Sequence, residues 1–204
     1  MTTKLILIRH GQSEANQEDV VQSSGPGTDL TDLGKKQSEA VAKVFENIKI
    51  DAIYSSPTKR TIQTAEIINK THNLEIKIKE SLGERKFGIL IGTPRDPKEQ
   101  TSEQRKLHKK RIEFENYRVP DGESFIDVKK RTMKVINKIL EEKNKTTIII
   151  AHGNVIRAII SSMLHIPLLK TYETPSRNTC YTEIEIDEEP KLVKYFCAEH
   201  LEDI

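Results

Sequence analysis

Thr146-Thr147-Ile148-Ile149-Ile150-Ala151, followed at once by His152-Gly153-Asn154, is the stretch on which the reading of this chain turns. Six residues are too few for a buried helix. Three consecutive β-branched isoleucines predict instead a central strand covered on both faces. Lys4-Leu5-Ile6-Leu7-Ile8 is a second run of the same kind, and Arg9-His10-Gly11 follows it directly. In open α/β sheets, ligands bind beyond the carboxyl ends of the strands. If the two strands run parallel and adjacent, both His-Gly pairs meet at one edge, where each glycine lets backbone approach a ligand closely. A single histidine after a strand is ordinarily structural. Two His-Gly pairs at one edge, one preceded by arginine, point to a site.

Outward from these runs, strands and helices alternate. Asp51 to Tyr54 and Leu74 to Ile78 read as short strands. A Gly/Ser/Pro-rich loop ends at Gly25-Pro26-Gly27, and Thr31 caps a helix with an apolar face of Leu33, Ala40, Val41, Val44, Phe45 and Ile48. Ser56-Pro57 opens a helix through about His72, because proline suits a first helical turn; Arg60 then lies in that turn, where the helix end adds partial positive charge. Residues 80–95 form a loop punctuated by Gly83, Gly88 and Gly92, and residues 97–116 read as a very polar helix. Phe125, Val128, Val135, Ile136, Ile139 and Leu140 share one face of a helix over about 123–143. A helix from about Asn154 to Leu164 ends before Pro167, and strands 180–186 and 191–197 flank a turn at Asp187-Glu188-Glu189-Pro190. The pattern predicts an α/β fold: one three-layer α/β/α domain over 1–204, with a largely parallel central sheet, a C-terminal hairpin and a polar helical lid-like insertion at about 89–120.

Composition narrows the function. The chain has 204 residues, 35% hydrophobic and 31% charged, which fits one globular domain. Lys plus Arg is 33 and Asp plus Glu is 31, a net charge of +2 that excludes a bulk polyanion such as nucleic acid as the default partner. No apolar run is long enough to span a membrane, and the N-terminal run is too short for a signal peptide, so a cytoplasmic protein is expected. Cys180 and Cys197 make no disulfide framework; they stand at equal distances from the hairpin turn centre, where reduced thiols are the simpler expectation. The histidines lack the close His/Asp spacing of a metal site. Arg105 to Arg111 holds five Lys or Arg in seven residues. It reads either as a solvated helix face paired with Glu103, Glu113 and Glu115, or as a basic lid that attracts anionic metabolites.

Arg9-His10-Gly11-Gln12-Ser13-Glu14-Ala15-Asn16 resembles the signature of the histidine phosphatase superfamily, which includes the cofactor-dependent phosphoglycerate mutases. Leu30-Thr31 through Gly34 and Gln37, then Ser56-Pro57, Arg60 and Gln63-Thr64-Ala65, match its next blocks. Gly83-Glu84-Arg85-Lys86-Phe87-Gly88, Asp121-Gly122-Glu123-Ser124 and His152-Gly153 complete the order. The resemblance implies that His10 is the nucleophile that becomes phosphorylated. It implies that Arg9, Arg60, His152 and Asn16 bind the phosphoryl group and that Glu84 is the proton donor, with Glu14 and Glu80 as alternatives on position alone. Gly11, Gln22, Gly153 and Asn154 are expected on the substrate-facing wall. The chain departs from the family at Ile91, where many relatives carry Glu, and before Gln22, where Arg is usual.

The chemistry agrees. A phosphoryl oxygen shell repels a nucleophile until cations neutralise it, and two arginines with an imidazolium at His152 can do this without a metal or other cofactor. The same cations keep His10 neutral, with a backbone carbonyl holding its second ring nitrogen. A partly buried carboxyl near phosphate would hold its proton more tightly, which would suit Glu84 as an acid. Only about 30 residues separate Gly88 from Pro120, where mutases carry longer clamping segments. The expected function is therefore metal-independent hydrolysis of small phosphomonoester metabolites. Mutase-type transfer and a non-catalytic phospholigand-binding module are the alternatives, and a homodimer is the protein partner left open.

Overall fold

Ile148 and Ile150 face one side of a sheet and Ile149 the other, and all three are fully buried. Burial of each such side chain contributes about 1.5–3 kcal/mol. The computed structural model describes residues 2–22, 25 and 27–204; residues 23, 24 and 26 of the predicted Gly/Ser/Pro loop lie outside the described residues. Six strands form one sheet: β1 (Thr3–Arg9), β2 (Ala52–Ser55), β3 (Ile76–Ile78), β4 (Thr146–Ala151), β5 (Tyr181–Ile186) and β6 (Pro190–Cys197). Their spatial order is β3-β2-β4-β1-β5-β6. β1, β2, β3 and β4 are mutually parallel, and β5 and β6 add an antiparallel hairpin beside β1. The sheet is mixed and mostly parallel, within a single α/β domain.

Seven helices are present among the described residues: α1 (Glu14–Gln17), α2 (Asp32–Phe45), α3 (Lys59–Asn69), α4 (Ser102–Glu113), α5 (Phe125–Glu141), α6 (Gly153–Met163) and α7 (Leu168–Tyr172). Alternation along the strands divides the core. Leu5, Leu7, Tyr54, Ile149 and Ala151 meet α5 and α6 through Phe125, Ile136, Ile156 and Ile160. Ile6, Ile8, Ile53, Ile148 and Ile150 meet α2 and α3 through Val41, Phe45, Ala65 and Ile68. These are the three predicted layers. The register then sets the site: Arg9 lies opposite Ala151 and Ser55 opposite Ile150, so three parallel strands end side by side.

Several local expectations are corrected. The buried face of α2 is Gly34, Ser38, Val41 and Phe45, while Leu33, Val44 and Ile48 are exposed. The first turns of α2 press against loop backbone rather than apolar side chains: a Cβ on Gly34 would overlap the Gln12 carbonyl, and Ser38 touches Thr64. α3 begins at Lys59 with Thr58 as its N-cap, so Pro57 precedes the helix. α6 ends at Met163 with Leu164 as its C-cap, as expected, but Pro167 also caps a short α7 that the sequence pattern did not reveal. Cys197 lies opposite Tyr181 rather than Cys180, because register shifts between Tyr181 and Ile184 displace the pairing, and both cysteines are free.

Gly34 offers a clear test of the α2 contact. Gly→Ala inside a helix ordinarily stabilises by about 0.5–1 kcal/mol, whereas overpacking costs about 1–3 kcal/mol. Gly34→Ala is expected to lower the urea midpoint at unchanged slope; a raised midpoint contradicts the close contact.

Candidate active site

The strand ends bring His10 and His152 together. The His10 amide donates to the Ala151 carbonyl at 3.1 Å, and the two imidazole centroids lie 5.2 Å apart at 64°. Ser56, after β2, donates its amide to the Ile150 carbonyl at 3.1 Å, and Arg60 follows in the first turn of α3. Arg60 is 1% exposed and lies between the rings, with Nε 3.2 Å from His10 Nε2 and Nη2 3.3 Å from His152 Nδ1.

A guanidinium donates only, so both contacted ring nitrogens are acceptors. His10 Nδ1 lies 2.7 Å from the Gly11 carbonyl, which accepts only, so the His10 proton is on Nδ1 and the lone pair on Nε2. In His152 the roles reverse: Nδ1 accepts and Nε2 donates to Ser56 Oγ at 2.8 Å. Burial, followed by the charge of Arg60, holds both rings well below the ordinary imidazole value of 6.5. The neutral His10 expected from the sequence is thus present, carbonyl contact included. The imidazolium expected at His152 is not: that ring is fully buried and neutral, and it orients Arg60 from behind.

A cavity of about 280 Å³ opens in front of this cluster. Of the residues singled out in the sequence, Arg9, His10, Asn16, Gln22, Arg60, Glu84, Gly153 and Asn154 line it. Gly11 turns the other way: its amide donates to Thr64 Oγ1 at 3.0 Å, and a Cβ there would overlap the Gly34 carbonyl. Asn16 accepts through Oδ1 from the Ser13 amide at 3.3 Å and from Asn178 Nδ2 at 3.2 Å, which leaves its NH₂ as the donor. Arg9 donates to the Ser176 carbonyl. Of the three carboxylates weighed, only Glu84 lines the cavity; Glu14 and Glu80 are exposed. Glu84 Oε1 accepts from the Arg85 amide at 2.8 Å, and Arg131 donates to the Ser81 and Glu84 carbonyls at 2.7 and 3.2 Å. Gly88, at φ +53°, lets this loop pass against residues 120–122, where a Cβ would overlap the Pro120 carbonyl.

The basic run divides. Arg105, Lys106, Lys109 and Lys110 are exposed, with Lys109 3.6 Å from Glu113, while Glu115 pairs with Lys129 at 2.9 Å. His108 and Arg111 line the cavity, as do Arg95 and Ser176, which the sequence reading did not single out within their loops, and Arg157 and Tyr172, which it missed. Arg157 had a signal: it lies one helical turn beyond Gly153 and shares its face of α6. Arg95 sits in a loop with no periodicity to mark it. Among the described residues no three His, Cys, Asp or Glu side chains cluster as metal ligands, and no helix is long and apolar enough to cross a membrane.

The chain belongs to the histidine phosphatase superfamily (branch 1), whose sequence model matches residues 5–198. Membership places it among phosphoric monoester hydrolases with phosphoglycerate mutase-like relatives. A putative phosphoserine phosphatase 2 of Hydrogenobacter thermophilus is 29% identical over 199 residues, 94% of each chain. A probable phosphoglycerate mutase of Yersinia pestis is 27% identical over 202 residues, 98% of this chain and 93% of that one. A phosphoserine phosphatase variant from Entamoeba histolytica, solved in complex with phosphoserine, superposes with a TM-score of 0.83 at 27% identity, covering 98% of this chain and 99% of that one.

The opposite tautomers are measurable. In ¹⁵N-detected spectra at about pH 6, His10 is expected as the Nδ1–H form and His152 as the Nε2–H form, neither protonated. A midpoint for either ring near 6.5 contradicts the assignment. Since both native values lie below 6.5, the unfolded chain binds protons there that the native state does not, so stability falls as pH drops through 6.5.

Proposed function

We propose that the chain hydrolyses small phosphomonoesters through a phosphohistidine on His10, with no metal in the chemical step. The observation that carries this is the His10 tautomer: a neutral ring whose one lone pair, on Nε2, sits beside a buried guanidinium at the mouth of a cationic cavity. A cavity of about 280 Å³ suits a metabolite rather than a macromolecular substrate, just below the roughly 300–1,000 Å³ of small-molecule pockets.

Arg9, Arg60 and the Asn16 NH₂ bind the phosphoryl oxygens, neutralising the charge that repels a nucleophile. Arg60 exchanges its bond to His10 Nε2 for a phosphoryl oxygen, because a lone pair cannot accept a hydrogen bond and attack at once. Nε2 then bonds to phosphorus as the ester P–O bond breaks, and Glu84 gives its proton to the leaving oxygen. The Gly11 carbonyl, still bonded to Nδ1–H, stabilises the positive charge on the phosphorylated ring. In the second half, the Glu84 carboxylate takes a proton from water as that water attacks phosphorus. The P–N bond breaks, its electron pair returns to Nε2, phosphate leaves and Glu84 is again an acid. His152 acts as a positioning residue for Arg60. Residues 89–120, with α4 at their centre, serve as the outer wall; one helix of twelve residues does little to sequester a phosphoenzyme from water, which favours hydrolysis over return of the phosphoryl group.

Turnover of p-nitrophenyl phosphate in EDTA tests the proposal. His10→Ala is expected to lower kcat by at least about a thousand-fold and to abolish an acid-labile phosphate trapped on the protein. Glu84→Gln is expected to lower kcat/KM about a hundred-fold for alkyl phosphates and much less for p-nitrophenyl phosphate, because that phenolate leaves without a proton, while breakdown of the common phosphohistidine slows equally for both. Activity lost to EDTA, or retained without His10, overturns the reading. Isomer formation instead of phosphate release from 3-phosphoglycerate, with 2,3-bisphosphoglycerate present, gives the mutase alternative.

A further inference from the structure

Glu84 sits on a stretch of chain with space on both sides. On the far side of its loop lies a second cavity of about 290 Å³, whose lining includes Ser81, Gly83, Lys86, Glu123 and Arg131. Among the described residues, Glu84 alone lines both this cavity and the catalytic one. The residues flanking it are packed: Leu82 is fully buried in the core shared with α5, and Arg85 is fully buried as well. Gly83 and Glu84, between them, face a cavity rather than close-packed side chains on that side, so packing alone does not fix the carboxyl.

One ion pair spans that gap. Arg131, on α5, binds the Glu123 carboxylate bidentately, Nε to Oε1 at 2.9 Å and Nη2 to Oε2 at 3.0 Å. The same guanidinium donates onward to the loop, from Nη1 to the Ser81 carbonyl at 2.7 Å and from Nη2 to the Glu84 carbonyl at 3.2 Å. Glu123 meets the loop from its other end: Oε2 accepts from the Lys86 amide at 2.9 Å, and the Glu123 amide donates to the Lys86 carbonyl at 2.8 Å. Ser81, Glu84 and Lys86 are thus tied through their backbones to one pair. A guanidinium fork has a fixed plane, so its bonds set the direction of the loop as well as its distance.

The peptide joining Glu84 to Arg85 transmits this to the carboxyl. Its carbonyl accepts from Arg131, and its N–H donates to Glu84 Oε1 at 2.8 Å. A trans peptide is planar with C=O and N–H pointing opposite ways, so holding the oxygen aims the hydrogen that orients the carboxyl. Neither Arg131 nor Glu123 lines the catalytic cavity, so both act through Glu84.

We infer that Arg131 and Glu123 are positioning residues for the reaction: together they hold the Glu84 carboxyl at the wall of the catalytic cavity, where it serves the leaving oxygen. This rests on the preceding reading only for what Glu84 does.

Leaving groups separate positioning from mere support. Arg131→Met and Glu123→Gln are expected to lower kcat/KM about ten-fold or more for alkyl phosphates, but less than about three-fold for p-nitrophenyl phosphate, whose phenolate leaves without a proton. Arg131→Lys keeps the charge but not the fork, and is expected to fall with Arg131→Met. With Glu84→Gln already in place, Arg131→Met is expected to cost alkyl phosphates less than about three-fold more, since the two changes remove one function. Variants that slow both substrates equally, wild-type kcat/KM in Arg131→Lys, or losses that multiply in the double variant overturn the inference. Amide hydrogen exchange reads the clamp without turnover: Arg131→Met is expected to speed exchange at Arg85 and Lys86 about ten-fold or more relative to Ile148 and Ile150 of β4. Unchanged relative exchange overturns the clamp. Faster exchange there, beside a Glu84→Gln protein with no leaving-group preference, leaves the clamp standing and overturns only the role given to Glu84.

Discussion

Arg60 holds the site together by bonding two imidazoles at once. One guanidinium cannot donate to both rings unless each presents a lone pair, so the contact dictates both tautomers and excludes protonation of either. The rest follows from keeping that group buried. Burial pushes Arg60 down only to about 10, so it stays charged at neutral pH. A buried charge needs fixed partners, which the neighbouring strand ends supply. His10 leaves β1, His152 leaves β4 and Arg60 rises one turn after β2, so the parallel register of three strands sets the spacing of all three groups.

The surrounding arginines are held by backbone oxygens rather than acids. Arg9 bonds the Ser176 carbonyl, Arg95 that of Val20 at 2.8 Å and Arg157 that of Thr174. A carbonyl fixes a guanidinium without cancelling its charge, whereas a carboxylate partner would. The cavity therefore keeps a strong positive field at a cost in stability that an anionic ligand offsets on binding. Salt-bridged arginines occur elsewhere in the fold, as between Arg131 and Glu123 at 2.9 Å, where anchoring is the whole task.

The sheet was legible because its signal is local. Isoleucine runs ending in His-Gly identify central strands from a handful of residues, and period-two burial follows from the pleat. The face of α2 was misread because hydrophobic periodicity assumes an apolar neighbour, and its first turns instead meet the backbone at Gln12, which demands Gly34 and Ser38. The cluster of His10, Arg9 and Arg60 was legible for a related reason: all three are tied to strand ends and a helix start. The opposite wall was not. Arg95 and Arg111 reach the cavity only through loop and α4 geometry that no spacing encodes, and Arg105, Lys106, Lys109 and Lys110, of the same composition, lie exposed outside it. His152 was found but given the wrong charge, because a sequence does not disclose that its ring is sealed behind Arg60.

Glu84 and the outer wall share one frame. Arg85, next to Glu84, is fully buried and donates to the carbonyls of Glu123, Arg111 and Tyr117 at 2.9, 3.0 and 3.2 Å. Leu107 of α4 and Tyr117 pack on Val21, Phe87, Leu90 and Val119, a small apolar cluster separate from the two main cores. The Glu84 loop, the end of α4 and the segment before α5 therefore stand as one piece against the sheet. A carboxyl on a mobile loop would have to find its place in every encounter; here the position of Glu84 is set by the same contacts that place Arg111. The Glu84 carboxyl and the Arg111 wall thus belong to a single packed element, while His10 belongs to the strand ends. The reaction geometry is the fit between those two bodies across the cavity.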